Sequence, residues 1–212
     1  MEYNNDISIS NKTNYNSLRN SRYYLLTKRT FDYLGALILL ILSSPIMLFI
    51  SVTIKMTSKG PILFKQERIG KDSKVFIIYK FRTMVVGCPN VPTDEMKDAD
   101  KYRTKIGSII RKLSLDELPQ LFNILKGEMS FIGPRPMIKD HGYLIKERKK
   151  KGIDKLYPGI SGWAQVNGRD GIKDKDKLKF DEKYLQNFSM AMDIKVFIKT
   201  IFKVLKKEDI LL

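Results

Sequence analysis

The run YLGALILLILSSPIMLFISVTI, residues 33–54, carries no charged side chain. A bilayer's hydrocarbon core of ~30 Å asks for roughly 20 apolar residues in a helix, so the segment is long enough to cross. Two features argue against a simple crossing. Ser43, Ser44 and Pro45 fall near its middle, and a proline removes a backbone donor and crowds the preceding turn. Both flanks are also basic, with Lys28 and Arg29 before the run and Lys55 and Lys59 after it. A crossing helix normally concentrates positive charge at its cytoplasmic end. A helix that enters, bends at Ser44 and Pro45 and returns accounts for both features, provided a serine hydroxyl serves the interrupted backbone. An ordinary span and a helix buried in a soluble core remain the alternatives.

The rest of the chain has a different character. Its 212 residues suit one domain with appendages. The net charge of +16 implies an anionic partner: nucleic acid, a phosphorylated substrate or an anionic membrane face. Cys88 is the single cysteine and His141 the single histidine, which excludes an internal disulfide and disfavours zinc. Residues 1–27 read as a polar, loosely ordered tail without the pattern of a signal peptide.

Beyond residue 59 the period changes. GPILFKQERIG and KVFIIYKFRTM are β-prone runs joined by GKDS, a hairpin signature. VVGCPNVPTDEMKDAD reads as a loop. Residues 98–113 form a helical candidate with Ile106, Ile109, Ile110 and Leu113 on one face. A second helix, begun by LSLDELPQL, ends at Gly127. FIGPRP is a rigid turn, residues 139–151 a basic helical run, and YPGISGWAQVNGRDG an irregular glycine-rich stretch. The closing segment is amphipathic: Lys195, Lys199 and Lys203 recur at helical spacing beside Ile194, Phe197, Ile198, Ile201, Phe202 and Leu205. That pattern suits either a helix lying in a membrane interface or a core-packing helix with a solvated lysine face.

Asp116 and Glu117 stand side by side in this basic chain. Ser114 followed three residues later by Glu117 fits a capping box, and acidic residues suit the first turn of a helix. The surroundings point to chemistry as well, with Arg111 and Lys112 just before the pair and Arg135 after a short helix and turn. Carboxylates take Mg²⁺ together with substrate phosphates, arginines clamp phosphoryl oxygens, and a carboxylate is a competent nucleophile toward phosphorus.

KRTFDYLGALILLILSSPIMLF, GPILFKQERIG, YKFRTM, IRKLSLDELPQLFNILKGEMSFIGPRP and PGISGWAQVNGR, in that order, resemble the bacterial sugar transferase family. These are monotopic phosphoglycosyl transferases acting on polyprenol phosphate, and the chain resembles their minimal catalytic form. The resemblance implies transfer of a sugar 1-phosphate from a UDP-sugar to undecaprenyl phosphate with release of UMP, as the first membrane step of surface glycan assembly. It implies that Asp116 is the nucleophile and a ligand of Mg²⁺, and that Glu117 assists as a base or through the metal. It further implies that Arg111, Arg135, Arg82 and Arg169 hold phosphate or nucleotide, and that Ser44 and Pro45 break the membrane helix. The expected architecture is α+β and helix-rich. It has a re-entrant membrane hairpin over residues 28–58 and a catalytic domain over 59–212, with a small β-hairpin and interfacial amphipathic helices, on the cytoplasmic face of the inner membrane. Nucleic acid is not expected as a partner, and a homodimer is left open. A membrane-anchored basic binding protein and a bitopic scaffold also fit the charge and the apolar run, but leave the acidic pair and GPRP without a purpose.

Overall fold

The computed structural model describes residues 22–88, 99–168 and 172–206. It begins with one long helix, α1 (Arg22–Thr57), so the last residues of the expected tail are helical. The antiparallel hairpin follows as β1 (Leu63–Ile69) and β2 (Val75–Phe81), in register from Leu63 opposite Phe81 to Ile69 opposite Val75. The single helix expected over 98–113 divides into α2 (Ala99–Tyr102) and α3 (Lys105–Lys112). The division falls where the Thr104 hydroxyl caps α3 by accepting from the Gly107 N–H at 2.9 Å. A 3₁₀ turn (Leu115–Glu117) leads into α4 (Gln120–Leu125), and Gly127, at φ +78°, follows its end.

The glycine-rich motifs fold more regularly than their composition suggests. β3 (Ser130–Ile132) and β5 (Gly159–Ser161) pair in parallel, while β4 (Met137–Ile138) adds to β1 to make a three-stranded sheet of order β2-β1-β4. Between them lies α5 (Gly142–Lys150), and α6 (Trp163–Asn167) follows β5 directly. A Cβ on Gly133 would stand 2.2 Å from the Tyr157 carbonyl, and one on Gly159 2.1 Å from the Gly133 nitrogen. FIGPRP and PGISG therefore lie backbone against backbone, which only glycine permits. Two helices complete the chain, α7 (Asp174–Gln186) and α8 (Met190–Lys206).

The long helix lies along this body. Lys28, Asp32, Ala36, Ile50 and Ile54 are buried. Lys28 forms an ion pair with Asp193 of α8, Asp32 accepts from the Ser130 hydroxyl and the Phe131 N–H, both at 3.0 Å, and Ile50 and Ile54 pack with Phe81 and Ile110. Lys28 and Arg29 are thus not a solvated basic flank: Arg29 stacks on the rings of Tyr33 and Tyr157 and donates to the Met129 carbonyl. Helical assignment runs straight through Pro45. The proline has no N–H for the Ile41 carbonyl, and the Ser44 hydroxyl donates to that carbonyl at 2.8 Å instead, so the expected serine compensation is present. The face turned away from the body stays exposed and apolar, including Ile38, Leu42, Leu48 and Phe49.

α8 packs Met192 and Val196 into the core and leaves a second apolar face open. Lys199 donates to the Asn167 side chain at 2.6 Å and Lys203 to the Gln165 carbonyl at 3.2 Å, while the Lys195 and Lys199 ammonium groups sit 5.4 and 4.8 Å from the centre of the Trp163 ring. Phe197, Ile198, Ile201, Phe202 and Leu205 face outward. Lys199 and Lys203 bond to the protein and Lys195 is exposed, so α8 shows both a core-packing face and an uncovered apolar face.

Candidate active site

Asp116 and Glu117 lie in the 3₁₀ turn between α3 and α4, and the capping box does not form. Ser114 adopts left-handed backbone angles (φ 54°, ψ 18°), and its hydroxyl caps nothing. Glu117 turns instead to β2, where the Lys80 ammonium donates to its carboxylate at 2.6 Å, and Arg135 approaches the same oxygen at 3.5 Å. Asn123 fixes α4 against the hairpin: it is fully buried, accepts from the Tyr79 N–H at 3.1 Å and donates to the Ile77 carbonyl and the Glu128 carboxylate, both at 2.7 Å. The dyad therefore has a rigid seat.

The two adjacent carboxylates live in different surroundings. Glu117 is tied down by cations. Asp116 is largely buried, yet its carboxylate takes no hydrogen bond from any described residue. Burial pushes the Asp116 carboxyl up to about 6; Glu117 beside it adds to the rise, while Lys80, Arg111 and Arg135 oppose it. Burial pushes Glu117 up too, but Lys80 and Arg135 together with the Lys80 hydrogen bond outweigh it, and Glu117 falls to about 2. The pair thus carries one firmly ionised carboxylate and one uncommitted carboxyl that titrates near neutrality.

Of the expected arginines, Arg111 at the end of α3 and Arg135 in the GPRP turn both act electrostatically on Asp116. The backbone of Arg135 is braced, because Arg148 donates to its carbonyl at 2.8 Å while holding Asp181 in a buried ion pair at 2.6 Å. Arg82 is placed elsewhere. Its guanidinium donates to the Ser58 and Lys59 carbonyls and the Ser58 hydroxyl, closing the end of α1, and makes no contact with the dyad. Arg169 lies outside the described residues. Sequence reasoning missed Lys80 and Arg68, which reach the site from the hairpin. The signal was strand alternation, since Lys80 falls on the same face of β2 as the buried Phe76 and Ile78.

Among the described residues no cluster of three or more acidic, histidine or cysteine side chains is present. The described residues do not offer the several protein ligands that some divalent cations need. Mg²⁺ fits, because it is commonly held by one or two carboxylates with water and substrate phosphates. Asp116 has oxygens to give, whereas Glu117 is engaged by Lys80.

The acidic dyad stands among Lys80, Arg111 and Arg135, on the same body as a long helix with an outward apolar face. The chain belongs to the bacterial sugar transferase family, which it matches over residues 23–207. By family it is a transferase. It is 42% identical over 192 residues to the sugar transferase EpsL of Bacillus subtilis, covering 88% of this chain and 91% of that protein. It is 41% identical to the UDP-N-acetylgalactosamine-undecaprenyl-phosphate N-acetylgalactosaminephosphotransferase of Aeromonas hydrophila, covering 89% of this chain and 46% of the relative. With the UDP-glucose:undecaprenyl-phosphate glucose-1-phosphate transferase of Escherichia coli it shares 37% identity over 84% of this chain and 40% of the relative. The chain thus spans less than half the length of the latter two.

Proposed function

We propose that the protein transfers a sugar 1-phosphate from a UDP-sugar to undecaprenyl phosphate, as the first membrane step of surface glycan assembly. The observation that carries this reading is the division of labour in the dyad: Glu117 is held by Lys80 and Arg135, while Asp116 is left without a hydrogen bond. An Asp116 oxygen attacks the β-phosphorus of the donor, and the bond from that phosphorus to the oxygen bridging it to the α-phosphate breaks, releasing UMP. An oxygen of the lipid phosphate then attacks the same phosphorus, the bond to Asp116 breaks, and the carboxylate is regenerated. Arg111 and Arg135 stand where negative charge builds on the transferred group. A carboxyl held near 2 is a poor proton acceptor, so Glu117 serves to place Lys80 and Arg135 rather than as a base. Asp116, together with substrate phosphates, would hold Mg²⁺, which would supply charge neutralisation there.

The same reading puts the protein on the cytoplasmic face of the inner membrane. The outward apolar faces of α1 and α8 enter one leaflet, and α1 dips in and returns about Ser44 and Pro45. The deciding experiment offers purified protein a panel of UDP-sugars with undecaprenyl phosphate and reads UMP. One UDP-sugar is expected to release UMP, with a phosphosugar adduct trapped on Asp116 when the lipid is withheld. Asp116→Asn should lose at least ~10³-fold in rate with folding intact, and EDTA should abolish turnover. Normal turnover by Asp116→Asn, or release of UDP, would overturn the mechanism.

A further inference from the structure

Among the described residues, the buried or half-buried cations around the site are mostly matched, and half-buried Arg68 stands apart. Lys28 has Asp193, Arg148 has Asp181 and Lys80 has Glu117, while Arg82 donates to two carbonyls and a hydroxyl. Arg68 has almost nothing. It lies in the central strand of the three-stranded sheet, its backbone paired with Phe76 on one side and Ile138 on the other, so the side chain is fixed at its root. Its only hydrogen bond among the described residues is a 3.3 Å contact from one terminal nitrogen to the Pro136 carbonyl. Its Nε is inaccessible to solvent and donates to no group, and among the described residues it forms no ion pair. Burial, and then the neighbouring charge of Arg135, pushes the Arg68 guanidinium down to about 10, with Glu117 opposing.

We infer that Arg68 and Arg135 together form a phosphate-binding fork beside the dyad, and that Arg68 is kept without a counter-charge so that a substrate phosphate supplies it. The charge of Arg135 acts unfavourably on the Arg68 guanidinium, which is partly withdrawn from water and short of hydrogen-bond acceptors. A phosphate group between them removes both penalties, because its oxygens accept from two planar forks at once. Arg135 is exposed and reaches Glu117 only at 3.5 Å, so it is free to pivot toward such a ligand. Strand alternation puts Arg68 on the same face of the hairpin as Lys80, which touches the dyad. Arg68 bonds to Pro136, the neighbour of Arg135, and Arg135 reaches Glu117, so the anion is held on the dyad's side of the hairpin. The inference rests on the transfer reading for its ligand, which is either the diphosphate of the donor or the phosphate of the lipid acceptor.

The test compares full-length wild type with Arg68→Met, which keeps the apolar stem and loses the charge, and with Arg68→Lys, which keeps charge without the fork. Thermal stability is measured alone and with inorganic pyrophosphate, and KM is measured separately for the UDP-sugar and for undecaprenyl phosphate. Without ligand, Arg68→Met is expected to melt at or above the wild-type temperature, since it removes an unpaired half-buried cation. The stabilisation by pyrophosphate should disappear, and kcat/KM should fall about 100-fold, with Arg68→Lys falling about tenfold. A rise in KM confined to the UDP-sugar assigns the fork to the donor, and one confined to the lipid assigns it to the acceptor. Arg68→Met protein that fails to accumulate, or melts well below wild type, would make Arg68 structural and overturn the inference, as would unchanged kinetics and an unchanged pyrophosphate response. If wild type transfers from no UDP-sugar but loses its pyrophosphate response on Arg68→Met, the transfer reading fails and the anion site stands.

Discussion

Asp116 and Glu117 share a peptide bond and differ by about four pH units in where they titrate, from about 6 to about 2. The cause is Lys80, whose ammonium bonds to Glu117 and acts on Asp116 only through space. This gives a pH prediction with a definite sign. The attacking form of Asp116 is the carboxylate, so kcat/KM for the donor should fall below about pH 6, tenfold per unit. Lys80 favours that carboxylate, so Lys80→Met should raise the Asp116 value and move the acid limb to higher pH. A cation bound to Asp116 lowers the limb in both proteins, so the informative quantity is the displacement between them. A limb that stays in place while activity falls would show that Lys80 matters only for structure. At this scale the sequence marked Asp116 by its motif and its basic neighbours. It offered a cap for Glu117, because Ser114 and Glu117 have capping spacing, and spacing does not report that Ser114 turns left-handed. Lys80 and Arg68 were hidden because a lysine or arginine in a strand is ordinarily read as solvent-facing, and only the packing of α4 on the hairpin shows which face is covered.

The elements hold the site by polar links across their seams. Asn123 joins α4 to β2 with two hydrogen bonds, from the Tyr79 N–H and to the Ile77 carbonyl, and ties Glu128 to the same fully buried position with a third. Asn123→Ala strands the Tyr79 N–H and the Ile77 carbonyl, at a cost of about 3 kcal/mol in unfolding free energy. Chemical denaturation of the two proteins checks the figure, and a change under ~1 kcal/mol would mean the seam is held by apolar contacts alone. The hairpin and the basic helix α5 were legible, because each has its own local period and its own turn residues. The glycine-rich motifs were not: β3 and β5 are short, and what makes them strands is the approach of Gly133 to Gly159, a contact between residues far apart in sequence. Arg82 is the reverse case, a motif residue beside β2 whose reach to Ser58 and Lys59 is set by tertiary packing.

Over the whole molecule, the decisive arrangement is that both ends of α1 are fastened to one body. Near its start Tyr24 donates to Asp193 at 2.5 Å and Lys28 pairs with the same carboxylate, and near its end Ile54 is buried against Phe81 and Ile110. A helix that carried its two ends to opposite sides of a ~30 Å hydrocarbon core would have to tear one of these seams open. α1 is one continuous helix whose two margins contact the same body, with the Ser44 hydroxyl taking up the Ile41 carbonyl at Pro45 in between, so the proposed re-entrant topology rests on whether those contacts hold in the membrane. Single cysteines at the exposed positions Thr27 and Lys59, in a Cys88→Ala background, provide the measurement. In sealed vesicles an impermeant maleimide should label both from the same side, the side that also labels a cysteine at the exposed Lys179 of α7. Labelling of residues 27 and 59 from opposite sides would require the Asp193 seam or the Phe81 seam to be broken in the membrane. The dyad's height over the bilayer would then be set by α8 alone.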